Sequence, residues 1–257
     1  MSPIEQWNAF ATIVIKEVRR FMRIWTQTLL PPAITMVLYF VIFGQLIGER
    51  IGTMDGFAYA QFVAPGLIML AVITNSYSNV VSSFFSNKFI RCIEELLVSP
   101  TPNYVILTGY VIGGVARGLA VGAVVTLVSL FFTDLQIHSL PLVVITVILT
   151  AVMFSLAGLV NGVYARNFDD VNIIPTFILT PLTYLGGIFY SISLLPEFWQ
   201  GVSKLNPILY MVNAFRYGFL GVADISVGLA LGMISVFIFI FGGYAMHLLA
   251  VGKNLRA

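Results

Sequence analysis

Apolar residues concentrate in six stretches, each close to the roughly 20 residues that a helix needs to cross a bilayer. The stretches cover residues 31–48, 60–82, 104–132, 140–163, 171–190 and 225–250. None of them contains an aspartate or a glutamate. The pattern predicts an all-α, polytopic membrane protein with six transmembrane helices in a single transmembrane domain over residues 1–257.

The segment before the first stretch, residues 1–28, has bulky apolar side chains at intervals of three and four. These are Trp7, Phe10, Val14, Val18, Phe21 and Trp25. Basic side chains lie largely off this stripe. The pattern is typical of an amphipathic helix that lies in the headgroup plane. Two interpretations stay open: a simple membrane-surface anchor, or an anchor that also contacts a cytoplasmic partner.

The connection after the second stretch, residues 84–99, predicts a second amphipathic helix. Phe85, Phe89, Ile93 and Leu97 recur every four residues, and the charged Lys88, Arg91, Glu94 and Glu95 fall on other faces. Pro100 and Pro102 follow and end the helix. Such a helix suits docking into a groove on another protein. The alternative is an interfacial helix that has no partner.

Residues 191–222 are too apolar for a solvated loop and too few to span the bilayer twice. Pro196 and Pro207 divide the segment. We therefore expect a re-entrant pair of short helices that enters the outer leaflet and returns. Its side chains Phe198, Trp199, Pro207 and Tyr210 are the candidate outer gate, where aromatic rings would exclude water from a closed pathway.

Composition and charge place the chain in the membrane and orient it. The sequence is 59% hydrophobic and only 9% charged, and its net charge of +2 is too small to indicate nucleic-acid binding. Nine of its 13 Lys and Arg residues fall on one side of the predicted spans, and three on the other. Because basic residues are enriched on the cytoplasmic side, both termini are predicted to be cytoplasmic.

A few polar and proline residues interrupt the spans. Arg117 is the only charged residue deep in a predicted span, and burial in lipid is costly, so it should face the bundle interior or a polar cavity. Its alternative role is purely structural. Asn75 and Asn79 share one face of the second span, and Pro181 and Tyr184 lie in a fifth span broken by proline. These five residues are the candidate pathway or dimer interface.

Small residues in the third span predict close helix packing, within the chain or across a dimer. They are Gly109, Gly113, Gly114, Gly118 and Gly122.

The sequence argues against several kinds of chemistry. It has no G-x-x-x-x-G-K-[ST] phosphate loop, one cysteine, and no pattern for a catalytic or metal site. The absence of acidic residues from the spans argues against proton or sodium coupling. An intramembrane protease is disfavoured because His138 and His247 lie outside the middle of the spans.

Three short motifs occur in a fixed order among the spans: Glu-Glu-Leu-Leu-Val-Ser-Pro from Glu94, Pro-Leu-Thr-Tyr-Leu-Gly-Gly from Pro181, and Asn-Pro-Ile-Leu-Tyr from Asn206, followed by Arg216-Tyr217-Gly218. With these motifs the chain resembles the membrane subunit of ABC-2 type transporters, and most closely the YadH-like bacterial inner-membrane permeases. The resemblance covers essentially the whole chain.

The resemblance implies a permease of the bacterial plasma (inner) membrane that forms a homodimer with two separate ABC ATPase subunits and acts as an ATP-driven exporter. ATP and Mg would bind to the partner ATPase, and no cofactor to this chain. The segment that contacts the ATPase would contain Phe85, Phe89, Arg91, Glu94, Glu95, Leu96 and Leu97. The alternative function is an ATP-independent channel or a secondary transporter. The substrate is left open.

Overall fold

The structure is a computed structural model that describes residues 1–252. It is almost entirely helical. In chain order the helices are α1 (Pro3–Arg23), α2 (Trp25–Tyr39), α3 (Gly48–Ile51), α4 (Tyr59–Phe89), α5 (Cys92–Val98), α6 (Asn103–Ser129), α7 (Leu140–Tyr164), α8 (Phe168–Ile174), α9 (Thr180–Tyr184), α10 (Glu197–Lys204), α11 (Pro207–Leu220) and α12 (Val227–Val251). A hairpin of β1 (Thr53–Met54) and β2 (Phe57–Ala58) follows α3.

Over the described residues, five helices are long and apolar enough to cross a membrane. They are Trp25–Ile51, Tyr59–Phe89, Asn103–Ser129, Leu140–Tyr164 and Val227–Val251. These helices match the first four predicted spans and the last, which confirms a helical, multi-spanning membrane protein. The last basic residues used for the orientation, Lys253 and Arg256, lie outside the described part of the chain.

The predicted fifth span, 171–190, differs from the structure. Its helix runs only from Phe168 to Tyr184 and consists of α8, a π-helical turn (Pro175–Leu179) and α9. The break begins at Pro175, which lacks the N–H that a regular helix requires. This helix is shorter than the other five, and the count of six spans stays a prediction.

The N-terminal helix is shorter than the predicted 1–28. A capping box begins α1: the Ser2 hydroxyl accepts from the Glu5 N–H, and the Glu5 carboxylate accepts from the Ser2 N–H. The chain leaves helical geometry at Ile24, and α2 starts directly at Trp25. The first membrane-spanning helix therefore begins six residues earlier than predicted.

Helix α4 is the centre of the fold, and most of its 31 residues are buried against α6, α7 and α11. Glycines allow the close approach of α6: a Cβ on Gly114 would lie 2.2 Å from the Ser155 Oγ of α7, and one on Gly118 would lie 2.0 Å from the Ser76 Oγ of α4. The glycine ridge therefore packs within the chain, which decides the question that the sequence left open.

The predicted single helix over residues 84–99 is wrong. Helix α4 continues to Phe89 and ends, Arg91 adopts a left-handed conformation (φ 63°), and α5 starts at Cys92. The Arg91 carbonyl accepts the first hydrogen bond of α5, from the Glu94 N–H. The four-residue periodicity predicted continuity, but it carries no information about a tight turn between two helices.

Two short helices, α10 and α11, occupy the predicted re-entrant segment, and Asn206 separates them. The Asn206 side chain caps α11 by accepting from the Ile208 N–H, and Pro207 occupies the first turn, where proline is tolerated. The insertion of this pair into the outer leaflet stays a prediction.

Candidate transport pathway and docking surface

A column of polar side chains runs along one face of α4. It consists of Asn75, Asn79, Ser83 and Asn87, which recur every four residues and therefore lie one above another. Charged or polar groups from α1 and α6 contact each member. The sequence predicted a role for the first two residues, and the structure extends the column toward the end of the bundle that carries α5.

Two arginines contact Asn75 and Asn79, which form the half of the column farther from α5; we call this half the upper half. Arg117 of α6 donates from Nη2 to the Asn75 Oδ1 at 3.3 Å. Arg20 of α1 donates from Nη2 to the carbonyl and to the Oδ1 of Asn79, at 2.8 and 2.9 Å. Arg117 therefore faces the bundle interior, as its cost in lipid predicted.

A buried carboxylate, Glu17 of α1, lies below them. Its side chain is 0% exposed, its Oε1 accepts from the Ser83 hydroxyl at 2.7 Å, and its Oε2 lies 3.4 Å from the Arg20 Nη2. A Cβ on Gly113 would lie 2.5 Å from the Glu17 Cβ, so glycine is required for α1 to approach α6 here. Glu17 and Arg20 therefore form hydrogen bonds from α1 to α4 where α1 packs on Gly113 of α6.

Sequence reasoning missed Glu17 because it assigned the buried face of α1 to the aromatic stripe. In the structure that face consists of Ile13, Glu17 and Phe21, while Trp7 is exposed. The signal was present: Glu17 lies four residues from an apolar residue in each direction. An acidic residue in an apolar row indicates a helix that packs against protein rather than one that lies only at the membrane surface.

At its lower end, the column reaches a groove between α1 and α5. Asn87 donates to the Tyr110 hydroxyl at 2.9 Å and accepts from the Lys16 Nζ at 3.0 Å. Lys16, Asn87, Cys92 and Glu95 are among the residues that line the groove. The polar column therefore ends beside the segment that was predicted to contact a partner.

At its upper end, the column reaches a cavity of about 480 Å³ between α2, α4 and the broken helix α8–α9. Most of its polar lining consists of hydroxyl groups, from Thr35, Thr74, Ser78, Thr176, Thr180, Thr183, Tyr39 and Tyr184. Asn75 also lines it, and none of the lining residues is charged. Of the predicted pathway residues, Asn75 and Tyr184 reach the cavity; Asn79 and Arg117 do not line it, and neither does Pro181.

Of the residues predicted to contact the ATPase, some are buried in the bundle and others are exposed. Phe85 is buried edge-on against Phe168, with ring centroids 5.0 Å apart, and Ile93 is buried at the start of α5. Phe89 and Arg91 are exposed, as is Glu95. Leu96 and Leu97 are half-buried, and Glu94 is also half-buried. The single apolar face expected from the periodicity is thus split at Arg91.

Exposed apolar side chains accompany these charges at the α5 end of the bundle. Phe89, Ile90, Val98 and Phe168 are all more than half exposed. Together with Arg91 and Glu95 they form a mixed apolar and charged surface, which we call the α5 surface.

The candidate gate residues also differ in how far they are buried. Tyr210 is buried and donates from its hydroxyl to the Lys204 carbonyl at 2.6 Å. Phe198 is 72% exposed and Trp199 is 45% exposed, and their rings pack edge-on against each other. Neither ring is buried within the single chain. Their role as an outer gate stays a prediction.

Arg216 of α11 is a further residue that the sequence did not single out as buried. It is 1% exposed, its guanidinium carbon lies 3.8 Å from the centroid of the Phe62 ring, and it donates to the carbonyls of Phe62, Gly187 and Ile188. Burial lowers the pKa of Arg216 to about 10, and Asp224 and Asp55 act in the opposite direction. The residue therefore remains charged at neutral pH.

Helix α9 and the segment after it are held by hydrogen bonds at several points besides Arg216. The Tyr59 hydroxyl donates to the Phe189 carbonyl at 2.9 Å, and the Asn206 Nδ2 donates to the Leu182 carbonyl at 2.6 Å. Asp224 accepts from the Ser191 hydroxyl at 2.6 Å. We call this set of contacts, with Arg216 at its centre, the outer latch. It brings together the motifs that begin at Pro181 and Asn206.

Comparison with known proteins decides the family. The profile of the ABC-2 type transporter family matches residues 8–220. The chain belongs to this family. It is 61% identical over 251 residues to the inner membrane transport permease YadH of Escherichia coli K12, covering 98% of each chain, and equally similar to YadH of Shigella flexneri. Nodulation protein J of Rhizobium leguminosarum bv. viciae is 23% identical over 207 residues, with 79% of this chain and 78% of the relative covered.

Family membership confirms the resemblance inferred from the three motifs, and with it a role in membrane transport. The match begins inside α1 and ends at Leu220, so it includes the polar column, the α5 surface and most of the outer latch.

Proposed function

We propose that the chain is the permease subunit of an ATP-driven exporter in a bacterial inner membrane, with both termini in the cytoplasm. It works as a homodimer with two separate ABC ATPase subunits that bind ATP and Mg. Family membership supports this function, as does the 61% identity to a protein named as an inner membrane transport permease.

The observation that carries the proposal is the α5 surface. An active transporter without its own phosphate loop takes its energy from elsewhere, and an exposed apolar surface flanked by charges is typical of a protein interface. Ile93 anchors α5 to the bundle, while Val98 is 84% exposed. The α5 surface can therefore bind a partner and pass its motion to α4 through the turn at Arg91.

The hydroxyl-lined cavity supports the pathway part of the proposal. It opens beside α2 and α9, where Ile34, Phe177 and Tyr184 are each about half exposed or more. A second copy that covers these side chains would enclose the cavity between two subunits. Asn75, Asn79, Arg117, Pro181 and Tyr184 would then lie at or near the dimer interface.

The test is co-purification followed by measurement of turnover. A tagged chain extracted from its own membranes should retain an ABC ATPase, and the reconstituted complex should hydrolyse ATP. Replacement of the phosphate-loop lysine in that ATPase should abolish hydrolysis and transport, because the proposal places both nucleotide sites on the ATPase subunits. Substrate flux that continues without ATP or the ATPase would instead favour a channel or a secondary transporter.

A further inference from the structure

The second half of α1 carries a positive charge that the chain does not balance. Lys16, Arg19, Arg20 and Arg23 fall within eight residues, and Glu17 is the one acidic residue among them, so the segment has a net charge of +3. Glu17 is buried beside Arg20, and the two charges offset each other inside the bundle. Within residues 1–252, no carboxylate lies within ion-pair distance of the other three cations.

These three cations share a face of α1 that does not pack on the protein. Lys16, Arg19 and Arg23 are spaced by three and four residues, which places them on one side of the helix, and all three are exposed. The Lys16 ammonium donates to the Asn87 side chain at the edge of α4. The guanidinium groups of Arg19 and Arg23 have no side-chain partner among the described residues, so they are free to bind a ligand.

Exposed apolar side chains lie next to the two arginines. Ile15 is 47% exposed and Met22 is 49% exposed, and their spacing of seven residues places both on the same side of α1. Trp25, at the start of α2, is 56% exposed. We call these five residues, with Arg19 and Arg23, the α1 basic surface. A ligand that fits it has a negatively charged group beside apolar chains.

The α1 basic surface lies at the edge of the membrane. Helix α2 begins at Trp25 and belongs to a helix long and apolar enough to cross the bilayer. Arg23 is two residues before this start and Arg19 is six, so both lie within roughly 9 Å of it along the chain. Tryptophan is enriched at the membrane interface. A cluster of four basic residues directly beside a membrane-spanning helix is typical of binding to anionic lipids.

We propose that the α1 basic surface binds anionic phospholipids, with the lipid phosphate at Arg19 and Arg23 and the acyl chains against the adjacent apolar side chains. The lipid carries a net negative charge, as phosphatidylglycerol does, because a zwitterionic headgroup would leave the positive charge of α1 unbalanced. On its other side the same helix donates from Arg20 to Asn79, so the bound lipid holds α1 against the polar column. The proposal requires that α2 crosses the membrane and does not depend on ATP-driven transport.

The experiment compares the full chain in nanodiscs of phosphatidylcholine with the same chain in nanodiscs that also contain phosphatidylglycerol, without ATP and without the ATPase. We expect phosphatidylglycerol to raise the midpoint of thermal unfolding by a few degrees, since a ligand that prefers the folded state stabilises it. The rise should shrink at high salt, because salt screens the attraction between exposed charges. The salt series uses the wild type and therefore does not depend on the folding of any variant.

Arg19→Gln combined with Arg23→Gln should remove most of the rise, yet unfold like the wild type in phosphatidylcholine alone, because both side chains are exposed. Arg19→Lys combined with Arg23→Lys should retain the rise, since it keeps the charge. The matched control is Arg91→Gln combined with Arg166→Gln. It removes the same charge from exposed positions that have carboxylates nearby in the sequence, and it should also retain the rise.

An unchanged rise in the α1 glutamine pair, an equal loss in the control pair, or a rise that salt does not reduce would overturn the proposal. If the α1 glutamine pair kept the rise but lost the ATPase during co-purification, the surface would bind a protein instead of lipid. Because the unfolding measurements contain no ATPase, their outcome is independent of the test for ATP-driven transport.

Discussion

Two short helices at opposite ends of the helical bundle, α11 and α5, differ in how much of their surface the chain itself buries. At one end, twelve of the 14 residues of α11 are buried, and donors of the outer latch bind backbone carbonyls in α9 and in the segment after it. At the other end, α5 has one buried residue in seven, and apolar side chains around it remain exposed. Both ends consist of short helices joined by tight turns.

The difference between α11 and α5 indicates which of these two helices needs a partner, whereas α10, beside α11, also carries exposed aromatic side chains. A segment whose backbone carbonyls accept hydrogen bonds from the same chain gains stability from the chain, whereas an exposed apolar surface gains stability only when something covers it. We infer that the outer latch is a structural element and that the α5 surface is an interface. Substitutions at the two ends should therefore separate stability from partner binding.

The largest effect on stability is expected from Arg216→Met. The substitution keeps an apolar stem but leaves the carbonyls of Gly187 and Ile188 without donors, and each lost partner in a buried site costs about 1–3 kcal/mol. The loss should appear as a lower midpoint of thermal unfolding for the purified chain. Arg19→Met, at an exposed position of α1, is the control and should unfold like the wild type.

A smaller loss is expected where α4 passes the outer latch. A Cβ on Gly66 would lie 2.8 Å from the Ile188 carbonyl oxygen, so Gly66→Ala forces the backbone apart and should cost about 1–3 kcal/mol. Gly232→Ala in α12 is the matched control, because nothing lies within 4 Å of its added Cβ. Equal unfolding midpoints for both variants would show that the segment after α9 is not tightly fastened.

The smallest effect on stability is expected at the α5 surface. Glu95→Lys, at an exposed position, should change the free energy of unfolding by less than about 0.5 kcal/mol, the usual range for surface positions. Combined with Glu94→Lys, it should lose the ATPase during co-purification, because the pair reverses charge at the proposed interface. Asp134→Lys, at an exposed position after α6 at the opposite end of the bundle, is a charge-reversal control that should retain the ATPase.

The sequence predicted the helical spans well because a bilayer imposes a simple length and polarity requirement, which residues 60–82 and 140–163 satisfy. It predicted the interior position of Arg117 for the same reason. The break at Arg91 was not predicted, because a left-handed residue within an amphipathic pattern leaves no periodic signature. The partners of Glu17 and Arg216 depend on helices distant in sequence, which periodicity alone does not bring together.

The most direct test of the account uses Cys92, the single cysteine of the sequence, which is exposed at the start of α5. Labelling by a membrane-impermeant maleimide can be followed in inside-out vesicles without any engineered residue. We predict rapid labelling of the permease alone and much slower labelling once the ATPase is bound, with rapid labelling restored by the Glu94→Lys and Glu95→Lys pair. Equal labelling rates with and without a stably bound ATPase would contradict the assignment of the α5 surface as the interface that couples ATP hydrolysis to transport.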